Sequence, residues 1–157
     1  MAEDDFLAVA SGGIVVGMDD SASARAALGH AIEEACHRQV PVLALAVFHS
    51  PSAWSPQVST VLNDDRLVGQ VQKAAKKVVD DVVAQERERG FEAPSVVAGL
   101  RTGSPVDVLC RISRDSVMLV IGDGGRGEFA SRLIGSVTLG AVLNANCPVL
   151  VVHPKDR

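Results

Sequence analysis

Tyrosine is missing from this chain, and four phenylalanines and one tryptophan are its only aromatic residues. A surface that stacks on the bases of single-stranded nucleic acid needs more aromatic faces than that. A basic cluster is missing too: the net charge is −4, and the lysines and arginines are interleaved with carboxylates. Nucleic-acid binding, which draws most of its affinity from neutralised phosphates, is therefore not expected. No run reaches the roughly eighteen apolar residues of a membrane-spanning helix. The N-terminal Met1-Ala2-Glu3-Asp4-Asp5 is acidic where a secretory leader is basic. The expectation is a cytoplasmic protein with neither nucleic-acid nor membrane partners. Cysteine is scarce: Cys36, Cys110 and Cys147 are odd in number, far apart, and match neither C-x-x-C nor a zinc spacing. They read as small core residues in a reducing compartment, and no metal site is expected of them.

What the chain does have is alanine, valine and leucine in short blocks. Its 157 residues suit one domain, read here as residues 12–157 behind a flexible tail at 1–11. Gly13 to Met18 is an apolar run that ends in Asp19-Asp20-Ser21, a strand meeting a helix cap. Ala24, Ala27, Leu28, Ala31, Ile32 and Ala35 then form one helical stripe. Val40 to Phe48 is a second strand, and His49 to Asn63, with Trp54, is the longest stretch without a period. Asp64-Asp65 opens a long helix with Leu67, Val71, Ala74, Val78 and Val82 inward, stopped by Gly90. Its charges, Glu86 and Arg89 among them, read as a solvated face. Ser95 to Ala98 is a short third strand. Ser104-Pro105-Val106-Asp107 has the cap, proline and N3 carboxylate of a helix start, running through Ile112. Alternating strands and helices predict an α/β fold, a parallel sheet covered on both faces, with ligands bound beyond the strands' carboxyl ends where strand order reverses.

The most informative stretch is Val117 to Pro148. Its fourth strand, Val117 to Ile121, is apolar on both faces and runs into Gly122, Gly124, Gly125 and Gly127. Glycines let the chain turn sharply and bring backbone N–H groups close to a ligand. Gly135-Ser136, followed by Val137, opens a fourth helix whose first amides have no partner within it. Two sets of backbone donors at one sheet edge predict an anion site, with phosphate as the anion. Gly122-Asp123-Gly124-Gly125-Arg126-Gly127 also spells G-x-G-x-x-G, but it follows the fourth strand, and no carboxylate stands about twenty residues on, so a dinucleotide site is not expected. The G-x-x-x-x-G-K-[S/T] phosphate loop is absent.

Written as Gly122-x2-Gly125-x9-Gly135-Ser136, with the Cys147 to Val152 ending, this stretch resembles the nucleotide-binding branch of the universal stress protein family. The resemblance covers nearly the whole chain. It implies an open five-stranded parallel sheet of order 3-2-1-4-5, Rossmann-like and of the adenine nucleotide alpha hydrolase-like kind. It implies further that Asp19 contacts the nucleoside, with Gly17 keeping the cleft open beside it. Val47 would line the adenine pocket with backbone groups. Gly122, Gly125, Gly135 and Ser136 would hold phosphate, with Gly124, Arg126 and Gly127 between them and Val137 beyond. The implied ligand is ATP, with or without Mg2+, or cAMP in its place, in a stress or regulatory role; a nucleotide-free interaction protein is the alternative. A homodimer through the last strand, 148–152, is implied as well.

One residue departs from the pattern. Asp123 stands where relatives often have serine, and a carboxylate beside a triphosphate repels it unless the side chain points away or a divalent cation bridges the two. Replacing it with serine would on that reading tighten ATP binding. No ordered set of base and metal ligands for phosphoryl transfer is found, and His30, His37, His49 and His153 are scattered, so no catalytic residue is expected.

Overall fold

The computed structural model describes residues 3–19, 21–48, 65–124 and 134–154. Five parallel strands, β1 (Ile14–Met18), β2 (Val42–Phe48), β3 (Val96–Thr102), β4 (Met118–Gly122) and β5 (Val149–Val152), form one sheet in the order β3-β2-β1-β4-β5. The helices are α1 (Glu3–Ala10), α2 (Ala22–Arg38), α3 (Asp65–Glu88), α4 (Pro105–Ile112) and α5 (Ser136–Asn144). This is the order expected, an α/β Rossmann-like sheet.

β1, β2 and β4 are apolar along their whole length because their side chains alternate between two covered faces, whereas the edge strand β3 carries Arg101 and Thr102. Ile14, Val16, Val42, Ala44 and Val120 pack on the α2 and α3 side, where Leu28, Ile32, Val79 and Val82 meet them. Val15, Leu43, Leu45, Leu119 and Ile121 point the other way, onto Phe6 of α1, Leu109 and Ile112 of α4, and Ala141 of α5. Burying a side chain of this size contributes about 1.5–3 kcal/mol, so either layer outweighs any single polar contact in the molecule. β1 pairs with β2 on one side and β4 on the other, which puts the reversal of strand order between β1 and β4.

Five local expectations change. Residues 1–11 were expected to be a loose tail, yet Glu3–Ala10 is helical, with Phe6 and Ala10 buried. Phe6 lies over Gly99 of β3, where a β-carbon would come within 2.9 Å of its ring, and Arg101 stacks on the ring at 4.1 Å. An eight-residue helix is too short to hold itself; this contact does. In α3 the inward face is Val79, Val82 and Glu86, while Val71 and Ala74 of the expected stripe are exposed. Twenty-four helical residues span about 36 Å, longer than the strands they cover. Glu86 departs from the expected solvated face, being buried against Gly29, while Arg89 stays exposed and bonds both Glu86 and Glu33. β3 is longer than expected, and Ser104 precedes α4 at the cap position without a side-chain cap bond. The segment 49–63 and Trp54 lie outside the described residues. Among the described residues no helix is long and apolar enough to cross a membrane.

Candidate functional site

The reversal between β1 and β4 opens a cavity of about 400 Å³ at the carboxyl edge of the sheet. β1 brings Gly17 and Asp19 to one wall, β4 brings Gly122 and Gly124 to the other, and Val47 enters from β2. The amino ends of α2 and α5 both reach it, with Ser21 and Ser23 from the first and Ser136 and Val137 from the second. Leu45, Leu109 and Ile121 give it an apolar side. Among the described residues of this lining there is no lysine or arginine, and Asp19 is the one ionisable group. Negative charge would therefore be held by backbone amides and hydroxyls, with the positive ends of two helices behind them.

Each glycine in this wall has its own reason. Gly124 has φ +75°, in the left-handed region, and it meets Gly135 back to back. A β-carbon on Gly124 would lie 2.7 Å from the Gly135 Cα, and one on Gly135 would lie 2.9 Å from the Gly124 Cα. The Gly135 N–H donates to the Asp123 carbonyl at 2.8 Å, closing the loop at its base. Gly122 is different: a β-carbon there would collide with Ser23 at 2.6 Å, so its lack of a side chain admits the first turn of α2. Thr138 donates its hydroxyl to the Gly122 carbonyl at 2.7 Å and locks α5 to the end of β4. As N-cap of α5, Gly135 has no side chain to offer, and the first intrahelical acceptor it supplies goes to Leu139. The Ser136, Val137 and Thr138 amides are left without an acceptor in their own helix, beside the cavity.

A family model described as the universal stress protein family matches residues 12–153. The chain belongs to the universal stress protein family. It is 33% identical over 149 residues to a universal stress protein of Mycobacterium tuberculosis and 32% identical over 149 residues to one of Mycobacterium bovis. Each alignment covers 92% of this chain and 48% of the relative, so the chain spans about half the length of these relatives. Among solved structures, the universal stress protein UspA from Lactobacillus plantarum superposes with a TM-score of 0.73 at 23% identity, over 90% of this chain and 97% of that one. The universal stress protein of Archaeoglobus fulgidus in complex with dAMP gives 0.53 at 26% identity, over 90% and 97%.

Within this universal stress protein fold, the structure brings together Gly17, Asp19, Val47, Gly122, Gly124, Gly135, Ser136 and Val137 around one cavity. Gly125, Arg126 and Gly127 lie outside the described residues. Asp19 accepts the Ser21 N–H at 2.9 Å, and helix capping falls to Ser21, whose Oγ accepts the Ala24 N–H. Gly17 is pressed by Leu109 and Ile121, at 3.2 Å and 3.4 Å from where a β-carbon would be, so a larger residue would push both into the cavity.

Asp123, from whose carboxylate repulsion of phosphate is expected, is placed away from the described cavity lining. Its carboxylate is buried, does not line the cavity, and lies 2.9 Å from His153 Nδ1 on the strand-edge side. Its backbone N–H donates to the Val152 carbonyl, so Asp123 ties the loop to the end of β5. Ser23, Thr138 and Leu109 line the site without having been singled out in the sequence. Only their approach to Gly122 and Gly17 across the sheet marks them, and nothing in local spacing encodes it. Among the described residues no group of three or more His, Cys, Asp or Glu is placed to hold a metal ion.

Proposed function

We propose that this universal stress protein binds an adenine nucleotide, ATP first, in the cavity between β1 and β4, and acts as a regulatory switch rather than as an enzyme. The observation that carries the reading is the uncapped amino end of α5, whose amides stand beside the back-to-back Gly124 and Gly135. A volume of about 400 Å³ lies in the range of small-molecule sites. Asp19, a hydrogen-bond acceptor across from these donors, suits the hydroxyls or amino group of a nucleoside. The dAMP complex of the Archaeoglobus fulgidus relative supports an adenine nucleotide. A further structure of this fold is a universal stress protein in complex with cAMP, at 21% identity, which bears on the fold alone. Arg126 and Mg2+ would add positive charge at the phosphates. Universal stress proteins are generally non-enzymatic regulators, and the cavity holds no base aligned for phosphoryl transfer among its described residues.

Native mass spectrometry on the freshly purified chain, followed by calorimetric titration with ATP, cAMP and adenosine, tests this reading. A co-purifying adenine nucleotide and tighter binding of ATP than of adenosine are expected. A chain that carries no nucleotide and binds none of the three would refute it in favour of a nucleotide-free interaction protein.

A homodimer is part of the same proposal. Among the described residues β5 is a sheet edge, which leaves one side of its backbone open to a partner. Beside it Leu139, Val142, Leu143 and Leu150 are exposed, with Leu143 at 73%. Apolar residues grouped this way mark an interaction surface. The cytoplasm is the proposed location.

A further inference from the structure

The cavity has hydroxyl donors that the glycine motif does not supply. Ser21 and Ser23, at the start of α2, both line it, and their Oγ atoms lie 3.1 Å apart. Ser21 Oγ also accepts the Ala24 N–H at 3.1 Å. Two hydroxyls carry two O–H protons, and their mutual hydrogen bond uses one. The Ala24 amide is a donor and takes none. If Ser21 donates to Ser23, the Ser23 proton is left over; in the reverse case the Ser21 proton is. Ser23 is 3% exposed, and buried hydroxyls are rarely left without an acceptor. Both serines line the cavity.

We infer that the Ser21–Ser23 pair contacts phosphate, donating one O–H to a non-bridging phosphate oxygen of the bound nucleotide; this rests on the nucleotide reading above. Phosphate is the better match than sugar or base for three reasons. Ser23 packs on Gly122, the residue that opens the glycine loop. The pair sits at the positive end of a 17-residue helix. And among the described lining residues no cation is present to hold the anion, so hydroxyl donors add to the α5 amides rather than duplicate a charge.

Ser21→Ala together with Ser23→Ala removes both O–H donors, since either serine alone still supplies one, and keeps the β-carbon that packs on Gly122. Ser21→Cys together with Ser23→Cys keeps the bulk and substitutes weak donors. Calorimetric titrations of the full chain with ATP, AMP and adenosine, with melting curves for each variant, give the test. ATP and AMP affinity should fall about tenfold in both variants, the usual effect of losing a hydrogen bond to a charged group, while adenosine affinity stays within twofold. Unchanged ATP affinity in the variants overturns the inference and leaves the nucleotide reading standing. Equal losses for ATP and adenosine overturn it as well, because a packing role moves both. A wild-type chain that binds none of the three overturns the nucleotide reading and this inference with it.

Discussion

Gly124→Ala and Gly12→Ala make a matched pair that separates two costs usually confounded. The backbone angles are nearly the same, φ +75° at Gly124 and φ +72° at Gly12. Their surroundings are not. A β-carbon on Gly12 meets nothing within 4 Å, whereas one on Gly124 lies 2.7 Å from the Gly135 Cα and 3.1 Å from its N. Gly12→Ala should therefore cost only the left-handed strain, about 1–2 kcal/mol. Gly124→Ala carries the same strain plus forced separation of two backbones, about 1–3 kcal/mol more. The sum, roughly 2–5 kcal/mol, would lower the melting temperature by about 4–20 °C for a chain of this length, against about 2–8 °C for Gly12→Ala. Urea unfolding followed by circular dichroism reads the difference directly, and ATP titration reads its consequence. Gly12→Ala should bind ATP as the wild type does; Gly124→Ala should lose most binding because the loop base at Gly135 moves. Equal destabilisation by the two substitutions would refute the reasoning, since the contact between Gly124 and Gly135 would then contribute nothing.

Three further outcomes are expected. Asp123→Ser should leave ATP affinity within about twofold, because the carboxylate faces His153 and not the cavity, and should cost about 1–2 kcal/mol in chemical denaturation for the lost charge-assisted contact; tighter ATP binding would instead put that carboxylate at the phosphates. Burial first, then the neighbouring Cys147 and Asp107, raises the Cys110 thiol above its ordinary range. The folded state holds that proton more tightly than the unfolded chain, so this group leaves stability unchanged below the ordinary thiol range and lowers it as pH rises beyond; iodoacetamide at pH 8 should label the half-buried Cys36 and Cys147 well before Cys110, as read by peptide mass mapping. Leu143→Glu, on the exposed apolar face of α5, should convert a dimer to a monomer in light scattering while melting within a few degrees of the wild type; a dimer that persists would move the interface elsewhere.

The sequence by itself determined the layered sheet and the edge at which its cavity opens. Apolar runs such as Val42–Phe48 and Met118–Gly122 have no polar face to expose, so they must lie between two helical layers whatever their neighbours are. Four glycines in the six residues from Gly122, where β4 ends, and a helix whose N-cap Gly135 has no side chain likewise announce backbone donors from local chemistry alone. What only the tertiary structure decided are the encounters between residues distant in the chain. Phe6 becomes a core residue because Gly99 leaves room for its ring, and a short acidic N-terminal segment carries no period from which that is legible. Asp123 is tied to the end of β5 by His153, thirty residues later. Ser23 enters the site because Gly122, a hundred positions away, has no β-carbon to keep it out. Periodicity reports which face of an element is covered. It does not report which residue across the sheet does the covering, because that depends on strand order and register, and these are fixed only when all the layers pack together.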